Sequence, residues 1–459
     1  MTFSVWENSI IQKAQICPLF YHSLILSFKI ETMDILRITT AGSVDDGKST
    51  LIGRLLFDTQ SIPQDKLEAI AASSQRKGLD FMDLSLLTDG LIAEREQGIT
   101  IDVAHVYFST PTRKYIIADS PGHVEYTRNM VTGASNAQVS VILIDARHGV
   151  MEQTYRHFFI STLLRIPKVV VCVNKMDLVG FSQDAFSNVV SDFYAFAEKI
   201  KFAGQEIDFI PVCSLHGDNI ATASARMGWY EGRTLLQELE QVDVREDAHD
   251  LPARFPVQYV IRPRTDGFHD YRGYAGKIAS GTFSTGDAVT VLPSGQHSVI
   301  RKIQKFETDL SSAHATESVT LLLENDIDTS RGDTLVKTGE EPIAAKYIAA
   351  HVCWMAHEPL ASGKIYWLQH GHQTVKARIE TIEYVVQPDT LEHHQASQLK
   401  LNDIALISIK LATPIFADVF ANNRATGGFI LLDAHTNGTV GVGFIYELHE
   451  SVPVEEFSI

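Results

Sequence analysis

Cysteine is scarce in this chain, and the few thiols it has do not cluster. Cys17, Cys172, Cys213 and Cys353 are the four, scattered and without a C-x-x-C pair. This spacing predicts reduced thiols in a cytoplasmic protein, with neither a disulfide framework nor a zinc site. Long apolar runs are missing too: nothing approaches the roughly 20 residues that cross a bilayer as a helix. An excess of positive charge is also lacking, since 39 Lys and Arg face 56 Asp and Glu for a net charge of −17. That balance argues against a global attraction to nucleic acid or anionic membrane, though it leaves room for a local basic patch. No internal repeat and no low-complexity tract interrupts the sequence.

What is present is ordinary globular composition, 45% hydrophobic and 21% charged. A length of 459 residues exceeds one typical core and predicts two or three domains. Residues 1–32 stand apart. Their apolar patch from Ile16 to Phe28 is broken by Pro18 and His22 and has neither a basic start nor a small-residue cleavage site, so it does not read as a secretory signal. Met33 directly precedes the first strand-like run, and the expectation is an N-terminal extension that is either upstream of the natural start or a disordered arm.

From 33 to 246 strand and helix patterns alternate. Ile116–Asp119, Val139–Asp145, Val169–Asn174 and Phe209–Cys213 are short, nearly continuous apolar runs of the kind buried on both faces of a parallel sheet. Helix-like stretches, Val124–Ala134, Met151–Leu164 and Phe186–Ile200, lie between them. The pattern predicts a doubly wound α/β domain, whose ligands bind beyond the carboxyl ends of the strands. After Glu246 short β-rich runs separated by Gly and Pro turns take over, and two small β-barrels are expected at 247–343 and 344–459.

The motifs fall at the predicted strand ends. Gly42-Ser43-Val44-Asp45-Asp46-Gly47-Lys48-Ser49 fits G-x-x-x-x-G-K-[ST] between a strand-like and a helix-like run. Its glycines let backbone N–H groups face an anion at the positive end of the following helix. Lys48 reaches the β and γ phosphates, and the Ser49 hydroxyl is a ligand for Mg²⁺. Asp119-Ser120-Pro121-Gly122-His123 follows a second strand. There Asp119 organises Mg²⁺, and Gly122 leaves its N–H free to sense a γ-phosphate. Asn174-Lys175-Met176-Asp177 closes a third strand. A carboxylate such as Asp177 accepts from both N1–H and the 2-amino group of guanine, and would be left unpaired by adenine. GTP is therefore the expected nucleotide.

Three further readings complete the site. A backbone N–H in Cys213-Ser214-Leu215 is placed to meet the guanine oxygen, a plain loop being the alternative. Thr100, in Arg95-Glu96-Gln97-Gly98-Ile99-Thr100-Ile101, supplies a second hydroxyl to Mg²⁺ in a loop that orders around the γ-phosphate. His123 is the candidate for orienting the attacking water, because phosphoryl transfer depends on positioning and charge stabilisation.

Together these clusters and the trailing β segments resemble the translational GTPase superfamily typified by elongation factor Tu, over nearly all of 33–459. Within it the chain is most similar to the large, GTP-binding subunits of two-subunit sulfate adenylyltransferases. The resemblance rests on the run from Gly42 through Ser49, Thr50 and Gly53 to Leu56, and on Asp89-Gly90-Leu91 through Ala104. Asp119 through Met130 and Trp229-Tyr230-Glu231-Gly232 extend it, as does Gly273-Tyr274-Ala275-Gly276 with Gly281. Elongation factors usually carry His where Asp46 stands, Thr where Ser49 stands and Cys where Ser120 stands. The resemblance implies that a small partner subunit binds ATP and sulfate and makes adenosine 5′-phosphosulfate and pyrophosphate, while this chain hydrolyses GTP to drive that step. The chain has no S-G-G-x-D-S or H-x-G-H motif of its own for adenylyl transfer. The alternative is a tRNA-binding elongation factor, for which Arg262, Arg264, Arg272 and Lys277 offer a local basic patch.

Overall fold

The computed structural model describes residues 33–76, 78, 82–87, 103–120, 127–243, 247–263 and 271–451. Its first part is a six-stranded sheet made by β1 (Ile35–Ala41), β2 (Ala104–Ser109), β3 (Lys114–Asp119), β4 (Val139–Asp145), β5 (Lys168–Asn174) and β6 (Glu206–Pro211). The spatial order is β2-β3-β1-β4-β5-β6, with only β2 antiparallel to its neighbour. The chain leaves β1 toward one side of the sheet and later returns to β4 on the other. The carboxyl end of β1 is thus the point where the winding reverses and a crevice opens.

Alternation along the strands divides the core in two. Val139, Val141 and Leu143 of β4, with Val170 and Cys172 of β5, join Leu36 and Ile38 on one face. Ile142 and Ile144, with Val169, Val171 and Val173, join the opposite face. Successive side chains of a strand point to opposite sides, so an unbroken apolar run is what a sheet covered on both faces needs. Helix α1 (Lys48–Asp58) covers the first face with Leu51, Ile52, Leu55 and Leu56. After α2 (Gln64–Arg76), helices α3 (Thr127–Ala134), α4 (Glu152–Leu163) and α5 (Gln183–Ala197) supply Val131, Phe158 and Phe193 to the second. The short α6 (Leu235–Gln241) returns to the first.

Two boundaries differ from the sequence expectation. Helix α5 starts three residues before Phe186 because Ser182 caps it, its hydroxyl accepting from the Ala185 N–H at 3.3 Å. Strand β6 ends at Pro211, not Cys213. Beyond it the chain curls back, and Cys213 pairs with Asp218 in an isolated bridge.

Two closed β-barrels follow. The strands Arg254–Ile261, Gly273–Lys277, Ala288–Leu292, Gln296–Lys305, Ser318–Leu323 and Thr334–Lys337 form the first, closed by pairing of Ala288–Leu292 with Gln296–Lys305. The second uses Ala344–Trp354, Ile365–His370, Gln373–Val386, Ile404–Phe416, Gly428–Leu432 and Thr439–His449, and closes between Ile365–His370 and Gln373–Val386. Closure pairs the backbone groups that open sheet edges would leave exposed.

The second barrel touches both other parts. Cys353, Met355, Ile404, Phe420 and Phe444 share one apolar cluster with Met130, Val131 and Ala134 of α3. Arg424 donates to the Ala137 carbonyl at 3.2 Å. Between the barrels, the buried Arg254 makes two hydrogen bonds to the Asp418 carboxylate, both 3.1 Å, and a third to the Glu340 carbonyl at 2.8 Å. Asn423 adds a bond to the Ser280 hydroxyl at 2.9 Å.

Truncating one partner of a buried ion pair strands the other. Arg254→Ala is therefore expected to cost about 3 kcal/mol, seen as a lower urea midpoint by circular dichroism. An unchanged midpoint would mean that the clasp between the barrels contributes nothing to stability.

Candidate functional site

The motif segments of the site that are described sit at the carboxyl ends of parallel strands. The loop between β1 and α1 adopts a conformation that side chains resist: φ is +95° at Gly47 and +69° at Asp45. A Cβ at Gly47 would lie 2.5 Å from the Asn174 amide nitrogen, so this glycine is required by space as well as by backbone angle. Lys48 opens α1 and turns back over the loop, donating to the carbonyls of Gly42 at 2.8 Å and Ser43 at 2.9 Å. Burial lowers its pKa, against the opposing pull of Asp119, Asp46 and Asp45.

The loop already holds an anion of its own. The Ser43 N–H donates to the Asp46 carboxylate at 2.6 Å. That carboxylate stands in for a phosphate oxygen, and its position shows that the Ser43 N–H is directed at negative charge, as a phosphate cradle requires. Burial raises the pKa of Asp46, while the Ser43 N–H and Lys48 oppose the rise.

Asn174, at the end of β5 and buried, ties this loop to the others. Its amide donates to the Asp46 carbonyl at 2.7 Å, and its carbonyl accepts from the Ser214 N–H at 3.0 Å and the Ser214 hydroxyl at 2.9 Å. Lys175 follows in a left-handed conformation, φ +59°, which swings the next turn toward the cavity. Its ammonium lies 2.9 Å from the Asp145 carboxylate. Asp177 accepts a hydrogen bond from the Cys213 thiol at 3.0 Å. Burial, reinforced by that bond, pushes the thiol pKa up to about 12.

A cavity of about 460 Å³ joins these pieces, lined by Gly47, Thr50, Asn174, Lys175, Asp177 and Leu178 and, across from them, Cys213, Ser214 and Leu215. That volume accommodates a nucleoside. Asp119 ends β3 beside the phosphate loop and accepts from the Thr40 hydroxyl at 2.9 Å. Ser49 is half-buried in the first turn of α1, and Val44 and Asp45 are exposed at the loop's tip.

Two of the expected residues face elsewhere. Ser120 is fully buried, its hydroxyl 3.4 Å from that of Thr39, and Met176 is packed into the core, so its side chain does not border the cavity. Pro121, Gly122, His123 and Thr100 lie outside the described residues, as do residues 1–32 and Arg264. Of the other basic residues weighed for nucleic acid, Arg272 is engaged with Asp326 and Asp328.

Sequence reading missed two contributors. Asp145, the last residue of the wholly buried β4, sits in register with Asn174 and anchors both Lys175 and Arg147. Burial would raise its pKa, but the hydrogen bonds from Arg147 and Lys175 outweigh that and hold it well below the usual carboxylate range. A lone acidic residue ending a strand that is otherwise apolar but for Ser140 was the available signal. The other is the turn Leu84–Leu87, which brings Met82, Asp83 and Leu84 to the cavity wall. It packs against Gly53 of α1, where a Cβ would stand 2.2 Å from the Leu84 carbonyl oxygen.

Residues 33–244 match the family described as the elongation factor Tu GTP binding domain, and residues 347–446 match the eEF1A C-terminal domain-like family. Among curated proteins, sulfate adenylyltransferase subunit 1 of Citrobacter koseri is 48% identical over 415 residues, 90% of this chain and 86% of that protein. The subunit of the same name from Salmonella paratyphi C is 48% identical, covering 92% of this chain and 88% of its own length. The bifunctional enzyme CysN/CysC of Mycobacterium tuberculosis is 47% identical over 90% of this chain, which spans 67% of that longer protein.

Removing the Asn174 amide leaves a buried carbonyl and a buried serine without partners. Asn174→Ala is expected to weaken GDP binding by about 50-fold, or roughly 2–3 kcal/mol, in isothermal titration calorimetry. Retained affinity would show that the loops hold their places without it.

Proposed function

The chain belongs to the family of sulfate adenylyltransferase subunit 1, and from that premise we propose that it hydrolyses GTP to drive formation of adenosine 5′-phosphosulfate and pyrophosphate from ATP and sulfate on a partner subunit. The observation that carries this reading is the single cavity shared by the phosphate loop, Asp177 and Ser214, with Asn174 bridging its two halves. Three boundaries are proposed with it: a GTPase domain at 33–246 and barrel domains at 247–343 and 344–459. The partner is a small ATP- and sulfate-binding chain in a cytoplasmic heterodimer or higher assembly, with no role for nucleic acid or membrane. Among the described residues no helix is long and apolar enough to cross a membrane.

The roles of the described residues are read from their positions around the cavity, and those of Thr100, Gly122 and His123 from the sequence alone. Loop amides and Lys48 hold the β and γ phosphates of GTP. Asp177 accepts from the guanine edge while the Lys175 stem covers the base and the Ser214–Leu215 backbone meets the guanine oxygen. Ser49 and Thr100, with Asp119 acting through water, would hold Mg²⁺, and the closeness of the Asp119 carboxylate to Lys48 at the phosphate loop fits that assignment. When bound, the ion neutralises charge on the phosphate oxygens. Gly122 senses the γ-phosphate, and His123 orients the water whose attack yields GDP and inorganic phosphate.

GTP turnover should rise strongly when the small subunit, ATP and sulfate are all present. A phosphate-release assay that finds the same rate with and without the partner would sink the coupling. In single-turnover measurements His123→Ala should lose at least about 100-fold in hydrolysis while still binding GTP; an unchanged rate would remove His123 from the mechanism. Asp177→Asn should shift preference from GTP toward xanthosine triphosphate, whose C2 carbonyl needs a donor. Undiminished selection of GTP by this variant would assign guanine reading to another group.

A further inference from the structure

Guanine reading by Asp177 uses one edge of a side-chain cluster that has a second chemical capacity. Among the described residues, Asp177, Cys213 and His216 are the one group of three whose metal-ligating atoms all lie within 4.8 Å of one another. No linear motif announces it, because Cys213 and His216 stand in one loop and Asp177 lies 36 residues upstream of Cys213. Neither thiol spacing nor a C-x-x-C search can find such a site.

We propose that Asp177, Cys213 and His216 form a site for a thiophilic divalent cation of the zinc class, and that its occupation excludes guanine from the pocket. The donor set is one sulfur, one imidazole nitrogen and one carboxylate oxygen, the combination that zinc accepts with a water in the fourth tetrahedral position. Mg²⁺, which prefers oxygen ligands and six-fold geometry, does not suit it.

The loop is built around the sulfur. The backbone N–H of His216 is directed at Cys213, and the Gly217 N–H donates to the Cys213 carbonyl at 2.8 Å. The turn therefore wraps the sulfur and brings the residue three positions on to the same side. The thiol is protonated in the empty site, and a cation binding there displaces its proton, as metal binding to thiols does. Gly217 has a φ of +86°, so the chain reverses there without strain. Access comes from the cavity, which Asp177 and Cys213 both line, while His216 is exposed to solvent. The Asp177 oxygen now accepting from the thiol, at 3.0 Å, is the atom placed to become the metal's oxygen ligand once the thiol proton leaves to solvent.

Exclusion follows from shared use of one carboxylate. A cation on the Asp177 carboxylate withdraws the negative charge that guanine N1–H and the 2-amino group need, and repels those positively polarised donors. The consequence is a direct antagonism between metal and nucleotide, independent of the phosphate loop. It rests on the reading of Asp177 as the guanine acceptor, whereas the metal site itself does not.

The test uses Co²⁺ alone as probe, with the full-length chain free of nucleotide and reducing agent. A thiolate-to-cobalt charge-transfer band should appear at one equivalent, disappear on adding Zn²⁺, and be missing in Cys213→Ser. His216→Ala should weaken metal binding by at least about tenfold and leave GDP affinity within about twofold. GDP saturated with Mg²⁺, so that its phosphates do not strip the probe, should displace the band from the native chain. No band, or a band of equal strength in Cys213→Ser, overturns the site. A band that persists while calorimetry shows GDP bound overturns the exclusion. Failure of the chain to bind GDP at all would instead strike the guanine-binding proposal, with the metal site still judged by the cobalt spectrum.

Discussion

One buried amide holds the nucleotide site in register. Asn174 donates to the phosphate loop and accepts twice from the Ser214 loop, so three segments far apart in sequence meet on a single side chain. Each of these contacts is buried, and a buried polar group without a partner is costly. The three loops are thus coupled: none can move without exposing or orphaning a group on another. Gly47 belongs to the same constraint, because only the absence of a Cβ lets the loop approach the amide so closely.

The sheet makes that convergence possible. Parallel strands bring their carboxyl ends to one edge, and the order with β1 between β3 and β4 places the phosphate loop where the winding reverses. Asp145 in β4 and Asn174 in β5 pair in register, so a carboxylate and an amide from adjacent strands are delivered at the same height. Lys175, in its left-handed conformation, connects the two by reaching back to Asp145. The base-reading turn is therefore braced by charge on one side and by the Asn174 hydrogen bonds on the other.

Much of this was legible in the chain. The buried strands declared themselves as nearly continuous apolar runs, and the phosphate loop, Asn174-Lys175-Met176-Asp177 and Ser214-Leu215 all fall at the ends of those strands. What was hidden depends on pairing across the sheet or on packing between distant segments. Asp145 is a single acidic residue whose meaning comes from its neighbour in β5. The approach of Leu84 to Gly53 joins segments that periodicity cannot relate. Met176 matched a motif, yet its apolar side chain was claimed by the core, as burial of a large thioether dictates. Ser182 moved a helix start because a hydroxyl cap outweighs the position of the first apolar residue.

The clasp of Arg254 on Asp418 has a mechanical meaning. A buried ion pair, with Asn423 and Ser280 bonded beside it, resists any turn of one barrel against the other. The second barrel in turn packs on α3, the helix that directly follows the segment carrying Gly122 and His123. A shift of that helix would meet a rigid lever made of both barrels, not a flexible string of two. Leverage of this kind turns a small displacement beside the nucleotide into a larger sweep at the far side of the first barrel.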